Sequence, residues 1–173
     1  MPDTGLLFVI DTTVLSNFAA VSHVPMLERL YRGRACTTMM VTTEIQHGLK
    51  AGYEYLQDVT NSLTPLRSDG WLPIVPLETA GEQGLYAELS QALGPGEASC
   101  LAVAVARQLT LATDDLAARR AAAARGVKLT GTLGILVRLV REKHLTLAEA
   151  NNILTDMIAL HYRTPVNRLD DLI

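Results

Sequence analysis

The stretch "LLFVIDTTVLSNF", residues 6–18, constrains the fold more than any other. Its apolar run is too short for a buried helix, contains β-branched residues, and stops on Asp11, after which the pattern turns helical. A short continuous apolar run of this kind reads as a strand covered on both faces. A second such run, "LTLATDD" at 109–115, ends on Asp114 and Asp115. A chain that aims carboxylates at the ends of its most buried strands needs a reason for doing so.

Composition narrows the setting. At 173 residues, 49% hydrophobic and 19% charged, the chain falls in the ordinary globular range and is expected to form one domain over 1–173. No apolar run approaches the roughly 18 residues that cross a bilayer, so no membrane role is expected. The LLFVI run does not read as a secretory leader, because Asp3 and Asp11 flank it and no basic segment precedes it. Cys36 and Cys100 lack metal-type spacing and read as buried free thiols, which implies a reducing, cytoplasmic setting. A net charge of −3 excludes bulk electrostatic coating of nucleic acid but not local binding. Between Arg119 and Lys143 the charges are almost all basic, with Glu142 the exception.

The coarse pattern alternates. Strands are expected at 6–10, 35–39, 109–113 and 127–130, with an extended segment in "WLPIVPL" whose Pro73 and Pro76 point to a sheet edge. Helices are expected at 12–20, 24–32, across "VTTEIQHGLKAGYEYLQDVTNSL" with a break near Gly48–Gly52, and at 79–92, 97–108, 115–125 and 132–142. The alanine-rich "LAARRAAAARG" favours helix and stops at Gly126. A final helix opens with Thr146 and Glu149 at capping-box spacing. Such alternation implies an α/β fold, with a central parallel sheet of four to five strands flanked by helices on both faces. A C-terminal helix and tail, 146–173, should pack on it.

In open sheets of this class, sites form beyond the carboxyl ends of the strands. Asp11, Asp114 and Asp115 follow strands; Glu97 opens the helix before the 109–113 strand, and Glu44 lies early in the helix of "VTTEIQHGL". Singly, each acid can be a helix cap or a dipole partner. Together they pose a cost, because two carboxylates about 4 Å apart repel by roughly 4 kcal/mol at an effective dielectric of 20. A cation relieves it. Oxygen ligands without a His or Cys set suit Mg²⁺ or Mn²⁺, and such ions assist phosphodiester hydrolysis.

"VIDTTVLSNF", "VTTEIQHGL", "LGPGEASCLAVAVA" and "LATDDLAARRAAAARGVKLTGTLGIL" resemble, in that order, the successive motifs of PIN-domain nucleases. The likeness is nearest to the prokaryotic branch that includes the toxins of VapBC-type toxin–antitoxin modules, and spans about residues 6–142. The resemblance implies a PIN-like fold and endoribonuclease activity with Mg²⁺ or Mn²⁺. By position it implies Asp11, Glu44, Glu97 and Asp115 as the catalytic acids, with Asp11, Glu97, Asp114 and Asp115 as metal ligands. Many relatives carry Asp at the third position, and Glu97 must use its extra methylene to reach back. Ser16 and Thr113 are expected to hydrogen-bond near the cluster. Arg119 should meet Asp115 on the helix face, either as an ion pair or to hold a phosphate. The implied partners are a single-stranded RNA substrate, an antitoxin protein and a second copy of the chain, the last through the apolar helix "VPMLERLY".

Other readings compete. A haloacid-dehalogenase-like phosphohydrolase also begins with a strand ending in Asp, but most such phosphatases need a second Asp where this chain has Thr13, and they leave Glu44 and Glu97 without a role. A PIN-like protein that binds nucleic acid or a partner without cutting is a second alternative. Group transfer through Cys100 is a third, and the apolar helix around it weighs against it.

Overall fold

The computed structural model describes residues 5–173; Asp3 lies outside them. Six strands form one parallel sheet: β1 (Phe8–Ile10), β2 (Ala35–Thr38), β3 (Leu63–Thr64), β4 (Leu72–Val75), β5 (Thr110–Ala112) and β6 (Leu129–Thr130), in the order β3-β4-β2-β1-β5-β6. Nine α-helices among the described residues flank it on both faces: α1 (Thr12–Ala20), α2 (Val24–Tyr31), α3 (Met39–Lys50), α4 (Gln57–Ser62), α5 (Ala80–Leu89), α6 (Pro95–Arg107), α7 (Leu116–Ala123), α8 (Thr132–Arg141) and α9 (Leu147–Ala159).

The α/β class and parallel sheet follow the sequence reading; the strand count exceeds it. β3 was missed because it is a two-residue strand closing α4, with no apolar run of its own. Its presence corrects the edge position expected for 71–77. β4 lies inside β3, with Pro73 beside Thr64, and the short β3–β4 ladder leaves room for a residue that cannot donate. The long helix expected after Val41 breaks as anticipated, α3 ending at Lys50 and α4 following a 3-10 turn at Glu54–Leu56.

The core sits where β1, β2 and β5 meet α6. Val9, Ile10, Cys36 and Leu111 are fully buried, and so are Cys100, Leu101 and Val103 on α6. Burial pushes the Cys100 thiol well above its ordinary range, which removes it as a nucleophile. The capping box at Thr146 and Glu149 forms, and α9 packs against α8 and α1. No described helix is long and apolar enough to cross a membrane. In α2 the apolar side chains Val24, Leu27, Leu30 and Tyr31 are buried in the protein's own core. That corrects the expectation that "VPMLERLY" offers a surface to a second copy.

The chain runs from β1 outward through β2 to β3 and β4, then returns across α5 and α6 to β5 on the opposite side of β1. The carboxyl ends of β1 and β5 therefore lie at the topological switch point of the sheet, where such folds open a crevice.

Candidate active site

Asp11 leaves β1 at this switch point and is 1% exposed. It caps α1: its Oδ1 accepts from the backbone N–H groups of Thr13 (3.0 Å) and Val14 (3.3 Å) and from the Thr13 hydroxyl (2.6 Å). Its Oδ2 accepts a short hydrogen bond from the buried Thr113 hydroxyl. No cationic side chain among the described residues pairs with it, and burial raises its pKa to about 7, with Asp114 adding to the rise.

Two hydroxyls tie the strand ends together. Thr13 Oγ1 donates to Asp11 and accepts from the Asp114 backbone N–H at 2.9 Å, joining β1 to β5. Thr113 Oγ1 donates to Asp11 and accepts from the Asp115 N–H at 3.1 Å. The two adjacent aspartates then diverge. Asp114 accepts from the Thr132 backbone N–H (2.9 Å), the Thr132 hydroxyl and Asn17 Nδ2 (2.9 Å). It thereby caps α8, whose own N-cap, Gly131, has no side chain to do so. A Cβ at Gly131 would lie 2.6 Å from Asp114 Oδ1, so only glycine allows the approach. Asp115 caps α7 with Oδ1 alone, through Ala118 N–H at 2.7 Å.

The glutamates approach from the other side. Glu44, on the second turn of α3, accepts from the Gly96 N–H at 2.8 Å through Oε1 and from the Thr12 hydroxyl through Oε2. A Cβ at Gly96 would sit 2.7 Å from the Glu44 carboxyl carbon. Glu97 lies in the first turn of α6, half-buried; burial raises its pKa, and the neighbouring Glu44 and Asp115 raise it further.

The capping readings of Asp11 and Asp115 are thus correct locally, yet neither consumes the whole carboxylate. Among the described residues none of Asp11, Glu44, Glu97, Asp114 or Asp115 has an ion-pair partner. Nor are three or more His, Cys, Asp or Glu drawn tightly enough there to enclose an ion. The donor set fits a hydrated Mg²⁺ or Mn²⁺ held through one or two direct carboxylates, and does not form a closed cage.

Arg119 departs from expectation. Its guanidinium donates to the backbone carbonyls of Thr113 (2.8 Å) and Thr130 (3.1 Å), not to Asp115. With Asp115 turned onto the α7 amides, the carbonyls ending β5 and β6 are the acceptors in reach. Ser16 is half-buried on α1 and makes no side-chain hydrogen bond to the cluster among the described residues. The sequence reading missed Thr12, Asn17, Gly96, Thr132 and Tyr162 as neighbours of the acids. Tyr162, from the C-terminal tail, has its pKa raised by burial and by Asp114. Asn17 stands four residues after Thr13, which binds both Asp11 and the Asp114 amide, and that spacing puts the two on one face of α1.

A family model described as PIN domain matches residues 7–173. The chain belongs to the PIN-domain family. No curated protein matches the sequence. Among solved structures, PAE2754 from Pyrobaculum aerophilum is 16% identical, with a TM-score of 0.55 over 79% of this chain and 91% of that one. VapBC2 from Rickettsia felis, bound to a DNA fragment from their promoter, is 19% identical, with a TM-score of 0.49 over 73% of this chain and 98% of that one. The first likeness supports the fold of this PIN domain.

Proposed function

We propose that this PIN domain is a metal-dependent endoribonuclease hydrolysing phosphodiesters in single-stranded RNA. What supports the reading is that Glu44 and Asp115 both act on the half-buried Glu97, that Thr113 ties Asp11 to the Asp115 backbone, and that among the described residues none of these acids has an ion-pair partner. Mg²⁺ or Mn²⁺ neutralises such a group, and when bound it supplies charge stabilisation at the cleaved phosphate and an activated water. Asp11 and Asp115 would hold the ion directly, Asp11 through the one lone pair left on Oδ2 and Asp115 through its Oδ2, with Glu97 reaching it from α6 through water. Glu44, held by Gly96 and Thr12, orients water. Asp114 positions the start of α8 through its three hydrogen bonds to Thr132 and Asn17. Thr113 and Thr13 fix the direction in which Asp11 presents its carboxylate.

The biological setting we propose is the cytoplasmic toxin of a toxin–antitoxin pair, with a protein antitoxin and a homodimeric toxin. Family membership supports this. Titration of Mn²⁺ into wild type and Asp11→Asn, followed by cleavage of mixed-sequence RNA with and without chelator, tests the nuclease. Wild type should bind Mn²⁺ and cut, and Asp11→Asn should lose both. RNA affinity equal in the two proteins, with no cleavage by either, would identify a binding module instead.

A further inference from the structure

One feature of the sequence is unused by the acid cluster: the alanine- and arginine-rich run that became α7. Along α7 a groove of about 420 Å³ starts one turn from Asp115 and separates this helix from α5 and the loop leading to Gly94. Ala117 and Ala121 line its α7 side, and Leu89 and Leu93 line the other. Small side chains on one wall keep the trough open where longer ones would fill it. Arg120 and Arg125 border it. Arg125 is paired with Glu88 at 2.8 Å, whereas the exposed Arg120 has no ion pair or side-chain hydrogen bond among the described residues. Leu116, between Asp115 and the groove-lining Ala117, is 61% exposed.

We propose that this groove carries the substrate strand away from the acidic cluster, Arg120 holding a backbone phosphate and Leu116 packing against the adjoining nucleoside. This rests on the ribonuclease reading and names the track that the RNA follows. Three observations favour a polyanion over a polypeptide. The two arginines against one glutamate leave the groove with a net positive charge in a protein of net charge −3. The free cation is the one nearer the acids along α7. The trough reaches the neighbourhood of the acids at both walls: Leu93 precedes Gly94, against which the Glu97 carboxylate lies, and Ala117 stands two residues after Asp115. The carboxylates repel a phosphate chain everywhere except where a metal sits, so the strand needs a cationic hold close by.

The test uses Arg120→Glu on the full chain. With the strand kept intact by Asp11→Asn, anisotropy of a labelled mixed-sequence single-stranded RNA should show affinity falling about tenfold, and the slope of log Kd against log salt shrinking by roughly 0.7, the value of one lost phosphate contact. In the otherwise wild-type protein with Mn²⁺, KM should rise and kcat should hold, with the melting temperature and Mn²⁺ affinity unchanged. If wild type cleaves and Arg120→Glu has the same KM and salt slope, the groove assignment is overturned while the nuclease stands, and the groove is left to a polypeptide. If wild type binds RNA through Arg120 but never cleaves, the nuclease reading falls and the track survives. RNA neither bound nor cut overturns both.

Discussion

Asp114 and Asp115 share a strand end and differ in what surrounds their oxygens. Asp114 satisfies the Thr132 amide and hydroxyl and the Asn17 amide, so Asp114→Ala strands several polar groups at the start of α8. Its cost should be about 2 kcal/mol, read as a lower melting temperature and denaturant midpoint. Asp115→Asn keeps a good N-cap for α7 and loses only the negative charge. It should leave stability within about 0.5 kcal/mol and reduce Mn²⁺-dependent cleavage at least 100-fold. The reverse pattern, with Asp115→Asn active and Asp114→Asn dead yet folded, would exchange their roles. The sequence could not separate the two residues, because the partner that decides, Thr132, stands beyond β6.

At the scale of elements, the site depends on helix starts brought close by glycine. Gly96 lets the first turn of α6 approach α3 until its N–H holds Glu44. In Gly96→Ala the new methyl must displace that carboxylate, a flexible side-chain end, so the protein should fold while cleavage falls roughly 10- to 100-fold. On the far end of α6, Arg107 donates to Glu82 at 2.7 Å and Glu82 is 2% exposed. Arg107→Ala leaves a buried charge without its partner and should cost about 3 kcal/mol, measurable by urea unfolding. The helices and central strands were legible because each has a continuous or periodic apolar pattern, as in "LLFVI" and "LTLAT". β3 was not, since two residues hold no period, and the edge rule for Pro73 failed when that short strand took the edge. The aspartates were legible as positions after strands and the glutamates as early positions in helices. Their hydroxyl and glycine partners were not, because Thr and Gly carry no signal until a neighbour arrives from elsewhere in the chain.

For the whole molecule, the uncompensated carboxylates tie stability to pH, and the proposed metal should add a second dependence. Asp11 titrates at about 7 in the fold against 3.8 as its ordinary value, so the folded state holds the proton more tightly than the unfolded chain. Its contribution is full below about 3.8 and is lost as pH rises through about 7; Glu97 is raised in the same direction. Glu82, lowered by Arg107, works oppositely and loses its contribution as pH falls below its unfolded pKa. Without divalent ions, stability should therefore decline from mildly acidic to neutral pH. Mn²⁺, which needs the ionised form, should raise the melting temperature more at pH 8 than at pH 5. A metal shift independent of pH would mean that Asp11 is not a ligand. The crowding of donors on one side of Asp11 has a further result. Three hydrogen bonds fill Oδ1 and one engages Oδ2, which leaves that aspartate a single free electron pair to share. Bidentate chelation is closed to it, and the large, many-coordinate Ca²⁺ gains less there than a small octahedral ion does.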